Sequence, residues 1–223
     1  MDSVTSFIYG MSMMFFSMMA FLFWRKGKEM LFRMIMWLMI VVDLQLVKDM
    51  VFFQVYGFDN EHAWYLTSSL DMMIIPFYSF VLMELVKPGW FGWLKALMLE
   101  LPFLLLPVFY IFTHNIIWFY VLSVWGAIYG CSTFILLIFL IRRYHRQLKE
   151  RFSYQENINL NWLLAILNTF FLLLFLWTLS CFVINVDYDN IYMVSSLMLW
   201  MLIDYFVYRH ESVIEELSDI EIV

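Results

Sequence analysis

Long apolar runs alternate with short polar links along the whole chain. Seven runs are long enough to cross a bilayer, for which a helix needs about 20 residues. They cover residues 4–24, 30–53, 63–86, 93–112, 116–141, 160–184 and 191–208. Because most of the links are short, consecutive helices should pack as antiparallel neighbours. The pattern predicts an all-α integral membrane bundle of seven transmembrane helices.

The predicted bundle occupies residues 1–208 and leaves a short acidic tail, residues 209–223. In the tail, Val213, Leu217 and Ile220 recur at helical spacing, with acidic residues between them. Apolar residues at i, i+4 and i+7 lie on one face of a helix. The tail is therefore predicted to be an amphipathic cytoplasmic helix that continues helix seven and binds a partner protein or a second copy of the chain.

Positive charge is distributed unevenly between the links. The first, third and fifth links carry Lys or Arg, as does the tail, whereas the second, fourth and sixth carry neither. Cytoplasmic loops are enriched in these two residues. We therefore predict an N-terminus outside the cell, a C-terminus in the cytoplasm of a bacterium, and outer links that include Asn60 and Asp189.

The fifth link is the most basic segment of the chain. A basic cluster beside a membrane helix can hold anionic lipid head groups, although it also serves simply to set the topology. The candidate lipid contacts are Arg142, Arg143, Arg146, Lys149 and Arg151.

Composition supports the membrane assignment and excludes several functions. Of the 223 residues, 64 % are hydrophobic and 14 % charged, whereas soluble domains average about 45–50 % apolar and about 25 % charged residues. The net charge of −6 disfavours direct binding to nucleic acid. The sequence has no nucleophile motif and no phosphate-binding loop, so we expect no enzyme activity and no cofactor.

Histidine and cysteine positions predict no metal site. His62 and His114 fall in outer links and His145 and His210 on the cytoplasmic side, so the four histidines are not expected to form one site. The two cysteines, Cys131 and Cys181, are predicted to be buried apolar residues at different depths. They should be too far apart for a disulfide, which requires Cα atoms within about 7 Å.

The third apolar run carries an acid near each end, Asp71 and Glu84, and a proline, Pro76, between them. A proline has no N–H to donate to the carbonyl four residues earlier, so the helix should bend about one turn beyond Asp71. Charged groups inside a membrane almost always face other helices or a wet cavity. The third helix is therefore expected to need neighbours along its length.

The acids inside the apolar runs separate into two levels. Near the outer side, Asp43 and Asp71 are predicted at one depth on adjacent helices, with Lys48 and Asp49 above them on the second helix. They form either a ligand or proton site, because two carboxylates can share a proton or hold a cation, or a neutralised network that locks two helices together. Near the inner side we predict a polar network of Arg33, Glu84, Lys95, Glu100 and Asp204.

Four segments resemble a known kind of protein: the run 70–90, LELPF at 99–103, YQENINLNWL at 154–163, and DYFVYRHESVIEEL at 204–217. They are similar to the seven-helix N-terminal region of bacterial membrane-bound regulators, which precedes an AraC-type helix-turn-helix domain or a histidine kinase. The resemblance implies a sensory module whose last helix drives an effector. With no effector domain after the tail, we expect either a fragment or a stand-alone form that works through a partner.

The leading hypothesis is an inner-membrane signal-sensing module that passes a ligand or membrane signal inward through helix seven. A small seven-helix transporter is the first alternative. Such carriers contain two three-helix repeats with matching prolines, whereas Pro76, Pro102 and Pro107 fall in helices three and four only. A non-catalytic membrane subunit that anchors partners is the second.

Overall fold

The computed structural model describes residues 3–27, 29–58, 60–87, 89–151 and 161–220. It describes the side chains of all these residues except 144–151, 161–162 and 208–220. The described part of the chain is all-helical, as predicted. Its α-helices are α1 Ser3–Lys26, α2 Met30–Tyr56, α3 Glu61–Asp71, α4 Ile75–Val86, α5 Trp93–Thr113, α6 Ile117–Arg151, α7 Asn161–Phe182 and α8 Val186–Ile220. They form seven helical spans that are long and apolar enough to cross a membrane.

The third span, Glu61–Val86, consists of α3, a 3₁₀ turn at Met72–Ile74, and α4. The interruption lies where the sequence predicted a bend. Pro76 is in the first turn of α4, and the N–H of Ile75 bonds instead to the carbonyl of Met72, three residues back. Because a proline cannot supply the α-helical hydrogen bond, the chain tightens into a 3₁₀ turn before the helix resumes.

The third span is the central element of the bundle. Of its most apolar stretch, 72 % of the residues are buried, against 17–39 % for the other six spans. It packs against α2, α5, α6 and α7, while α1 packs against α2 and α8. The outward faces of the other helices expose large apolar side chains such as Phe7, Met14 and Phe112. A soluble monomer rarely exposes apolar patches of this extent.

The last helix begins five residues before its predicted start. Asn185 accepts a hydrogen bond from the N–H of Asp187 at 2.8 Å, and Asp187 and Asp189 lie in the first turn of α8. Carboxylates are stabilised at this end by the helix dipole, so acidic residues that resemble a loop in sequence belong to the helix. The prediction that Asp189 lies in the sixth link is therefore wrong.

The links at 57–60, 114–116 and 183–185 meet at one end of the bundle, which we call the outer end after the predicted orientation. Two hydrogen bonds join α1 to α8 there: Tyr9 Oη donates to Asp189 Oδ2 at 3.1 Å, and Asn190 Nδ2 to Thr5 Oγ1 at 3.0 Å. Trp64 Nε1 donates to the carbonyl of Cys181 at 3.2 Å. Side-chain hydrogen bonds at this end thus join α1 to α8 and the third span to α7.

The two cysteines are free, which confirms that they form no disulfide with each other. Cys181 is buried, as predicted, at the outer end of α7. Cys131 is exposed on α6, which corrects the prediction that it is buried. An apolar residue in a membrane helix can face lipid as readily as protein, so hydropathy does not distinguish the two positions.

Candidate functional site

A cavity of about 100 Å³ lies in the outer half of the bundle. Its walls come from α1, α2, the third span, α7 and α8, so five of the seven spans contribute. We call it the outer cavity. The polar groups that matter most on its walls are Tyr9, Ser12, Asp49, Asp71 and Asp189.

Lys48 joins two of these carboxylates. Its ammonium group lies 2.7 Å from Asp71 Oδ1 and 2.8 Å from Asp49 Oδ1, and it donates a further hydrogen bond to the carbonyl of Thr67 at 3.0 Å. The contact with Asp49 is an ion pair by distance, whereas those with Asp71 and Thr67 are also hydrogen bonds. The arrangement holds α2 against the third span.

Asp189 has a different partner from the other two acids. It is only 9 % exposed and accepts a hydrogen bond from Tyr9. A neutral hydroxyl orients a carboxylate but does not cancel its charge. Among the side chains that the structure describes, no Lys, Arg or His lines the outer cavity. With Lys48 counted, three carboxylates and one ammonium leave a formal excess of two negative charges around the cavity.

Aromatic side chains pack around the inner and outer ends of the outer cavity. At the inner end Trp200 packs edge-on against Phe16, with ring centroids 5.9 Å apart, and lies 5.7 Å from the ring of Tyr78. At the outer end the rings of Phe53 and Phe58 stack at 4.1 Å beside Trp64. Apolar rings of this kind lower the local dielectric constant, which strengthens electrostatic interactions between the carboxylates.

Phe58 reaches this outer cluster because the chain reverses at Gly57. Gly57 has φ 78° and ψ 161°, a conformation that is essentially restricted to glycine. Its N–H bonds to the carbonyl of Phe53 and ends α2 there. The second link therefore turns Phe58 back over the end of the helix and onto Phe53.

Of the predicted outer residues, the structure brings Lys48 and Asp71 together but not Asp43. The Asp43 carboxylate accepts a hydrogen bond from Ser17 of α1 at 2.5 Å and does not line the outer cavity. The α2 residues that do line it are Val42, Gln45, Leu46, Asp49 and Phe53. These are spaced i, i+3, i+4, i+7 and i+11, so they share one helix face, and Asp43 lies beside that face.

The predicted site omitted four residues that line the outer cavity: Tyr9, Ser12, Asp49 and Asp189. Asp49 was placed at the outer level but not assigned to the site, although helical periodicity puts it on one face with Gln45 and Leu46. Asp189 was assigned to a link because the start of the last helix was placed too late. No sequence signal pairs Tyr9 with Asp189, since the two residues are 180 positions apart.

The two outer histidines also meet, which the sequence analysis did not anticipate. His62 Nε2 and His114 Nδ1 are 3.1 Å apart, and His62 Nδ1 lies 2.9 Å from Tyr110 Oη. The contact ties the start of α3 to the end of α5 outside the outer cavity. Within the described ranges, no group of three or more His, Cys, Asp or Glu residues is arranged to hold a metal ion.

The five predicted inner residues do not form one network. The Glu84 carboxylate accepts hydrogen bonds from the backbone N–H groups of Gly89 at 2.7 Å and Phe91 at 3.0 Å, which closes the third link on α4. Asp204 is 4 % exposed, and neither of its oxygens has a hydrogen-bond partner among the described residues. These two acids therefore lie in separate environments. Glu84 stabilises the third link, and Asp204 has no hydrogen-bond partner among the described residues.

The remaining inner and basic residues lie nearer the surface. Lys95 sits over the ring of Trp90 at 5.5 Å, and Arg33 and Glu100 line one apolar groove between α2 and α5. The candidate lipid contacts Arg142 and Arg143 are exposed on α6. The side chains of Arg146, Lys149 and Arg151 lie outside the described residues, as do those of the tail.

No protein-family model, curated protein or solved structure matches the chain.

Proposed function

We propose that the chain is a multi-pass inner-membrane sensor in which occupancy of the outer cavity changes the packing of α8. One observation carries the proposal. A single unbroken helix, Val186–Ile220, contributes Asp189 to the outer cavity and continues to the opposite end of the bundle. A rigid helix that touches a buried ligand can transmit a small displacement along its whole length.

The buried face of α8 supports the proposal that this helix transmits the signal. Asp189, Tyr192, Ser196 and Trp200 line the outer cavity at spacings of three or four residues, and the buried residues Ile203 and Val207 continue the same face inward. A ligand that prefers one position of Asp189 would bias the position of the buried inner face as well, because ligands shift equilibria through differential contacts. The tail would then pass the change to a partner protein or a second copy.

The apolar exterior of the bundle supports the proposed membrane location, and the distribution of positive charge between the links supports the proposed orientation. Tyr188 at the outer end is 59 % exposed, and Lys87 in the third link is exposed at the other end. In intact bacterial spheroplasts, an impermeant thiol reagent should modify Tyr188→Cys and spare Lys87→Cys. Modification of Lys87→Cys alone would reverse the proposed orientation.

The sensing role is tested by a distance across the inner end of the bundle. Spin labels at Met201→Cys on α8 and Trp93→Cys on α5, both exposed positions, can be introduced after Cys131→Ser and Cys181→Ala. Asp71→Asn should change the mean distance by about 1–2 Å, the usual size of a helix shift. The matched control Asp43→Asn alters an acid on α2 outside the cavity and should leave the distance unchanged. Identical distances in all variants would refute the sensing role.

A transporter is the second candidate, favoured by a cavity between helices that has acidic and hydroxyl groups on its walls. The distribution of prolines does not suggest two repeats, since those inside the spans are Pro76 in the third and Pro102 and Pro107 in α5. Flux of a small cation into proteoliposomes that is abolished by Asp71→Asn would favour this candidate. Copurification of a stoichiometric partner from native membranes, with neither flux nor a distance change, would favour an anchor subunit.

A further inference from the structure

We infer that the outer cavity binds a small organic ammonium cation, held by Asp189 and Asp71 with the hydroxyl groups of Tyr9 and Ser12. The inference rests on the proposed function in that both assign the ligand to the same cavity. It goes further by naming the chemical class of the ligand. Four features of the cavity support it.

The first feature is charge. Asp49 and Asp71 share the single ammonium of Lys48, whereas the partner of Asp189 is the neutral hydroxyl of Tyr9. Buried charges in proteins are normally paired, because an isolated charge in a medium of low dielectric constant is costly. A buried acid without a cationic partner is neutralised either by a proton or by a bound cation, so these carboxylates favour a cation as the occupant and disfavour an anion.

The second feature is a polar group with no partner. Ser12 is 1 % exposed, lines the outer cavity, and its Oγ has no hydrogen-bond partner among the described residues. Buried polar atoms are nearly always hydrogen-bonded, so an orphan on a cavity wall points to a group that is supplied by a ligand. An ammonium group donates up to three hydrogen bonds and can satisfy Ser12 and a carboxylate together.

The third feature is the aromatic wall. Phe16, Tyr78, Trp177, Tyr192 and Trp200 all line the outer cavity. Ammonium ions are attracted to the faces of such rings, and the alkyl part of an organic cation is stabilised by the same apolar surface. A hydrated inorganic ion gains little from these rings. A wall that combines carboxylates with aromatic rings therefore matches a molecule with a charged head and an apolar end.

The fourth feature is size and coordination. The cavity volume is about 100 Å³, smaller than an engineered protein cavity of about 150 Å³ that holds benzene. The occupant is thus a short amine. The acids of the cavity do not form a group arranged to hold a metal ion, which separates this site from a divalent-cation site, where several oxygens converge on one point.

The test is binding of radiolabelled ethylammonium to the full-length protein in detergent, measured by scintillation proximity. Wild-type protein should show saturable binding, and Asp189→Asn should weaken it at least tenfold. Ser12→Ala, a smaller change at the wall, should weaken it about threefold. Asp43→Asn should bind like the wild type, because its carboxylate lies outside the cavity. A melting temperature for each variant shows that the protein is folded.

Competition distinguishes the class of ligand. Unlabelled ethylammonium should displace the label at least tenfold more effectively than tetramethylammonium, which has no N–H donors and a larger volume, or than sodium ion. Equal displacement by sodium would assign the site to an inorganic cation and overturn the inference. Absence of saturable binding, or equal binding by Asp189→Asn, would also overturn it. Binding without any change in the spin-label distance would instead refute the sensing role alone.

Discussion

The outer and inner halves of the bundle use the same kinds of charged residue in opposite ways. In the outer half, Lys48 pairs with Asp49 and Asp71, and together with Asp189 these acids surround one cavity. In the inner half, Glu84 is bound by the backbone of a link and Asp204 has no partner among the residues described. Acids inside apolar helices therefore mark a site only where several helices bring them together.

The difference follows from the position of the third span. Above Pro76 it presents Asp71 and Thr67 toward α2 and the outer cavity, and below Pro76 it presents Glu84 toward its own following link. A carboxylate held by two N–H groups of one loop fixes that loop and leaves no room for a ligand. A carboxylate that shares one lysine with a second acid can exchange partners.

The largest effect on stability is expected in the outer half, from removing the ammonium group of Lys48 that Asp49 and Asp71 share. Lys48→Met should lower the free energy of unfolding by about 3–5 kcal/mol, because it leaves two buried carboxylates without their counterion. Thermal or denaturant unfolding in detergent would measure the loss. Lys87→Met, at an exposed position, is the control and should change stability little.

The double variant Lys48→Met with Asp71→Asn sharpens this prediction. If the lysine serves mainly to neutralise the acids, removing one acid should restore part of the lost stability. A double variant that is as unstable as the sum of the two single variants would show that the ion pairs are not energetically coupled.

A smaller loss is expected in the inner half from Glu84→Ala. The substitution leaves the N–H groups of Gly89 and Phe91 without their acceptor, and we expect a loss of about 2 kcal/mol, since an unpaired buried donor costs about 1–3 kcal/mol. Ammonium binding should be unaffected. Glu29→Ala is the control, because Glu29 is exposed and makes no capping hydrogen bond to α2. A loss of ammonium binding in Glu84→Ala with unchanged stability would contradict the assignment of ligand binding to the outer half and of a structural role to Glu84.

The smallest effect is expected at Asp204. Asp204→Leu should raise the free energy of unfolding slightly, by about 1 kcal/mol, because it replaces a buried carboxylate that has no hydrogen-bond partner among the described residues. Phe206→Leu, a change of apolar side chain two residues away, serves as the comparison. A strong destabilisation by Asp204→Leu would reveal a partner for this carboxylate and would make the inner half a second charged site.

Local signals in the sequence predicted the fold well. Hydropathy located seven spans, and Pro76 predicted the interruption that the 3₁₀ turn at Met72–Ile74 provides. These features depend on neighbouring residues only. The start of α8 was missed because Asp187 and Asp189 read as polar loop residues, although acids in a first helical turn are stabilised.

The candidate site was predicted only in part. Lys48 and Asp71 both belong to the predicted outer set, and the structure places them in contact. Asp43 was included because depth along the helix was considered without the angle around its axis. Tyr9 and Asp189 depend on the contact between the first and last helices, and no local pattern specifies which distant helices meet.

The most direct test of the central claim follows amide hydrogen exchange in residues 201–207 of α8 when ethylammonium is added. These residues lie inward from Trp200, the last residue of α8 that lines the outer cavity. The account predicts that exchange there changes on addition of ethylammonium to the wild-type protein, and that neither tetramethylammonium nor the Asp71→Asn variant reproduces the change. Protection confined to the cavity residues, with exchange in 201–207 unaltered at saturating ethylammonium, would contradict the claim that α8 carries the signal inward.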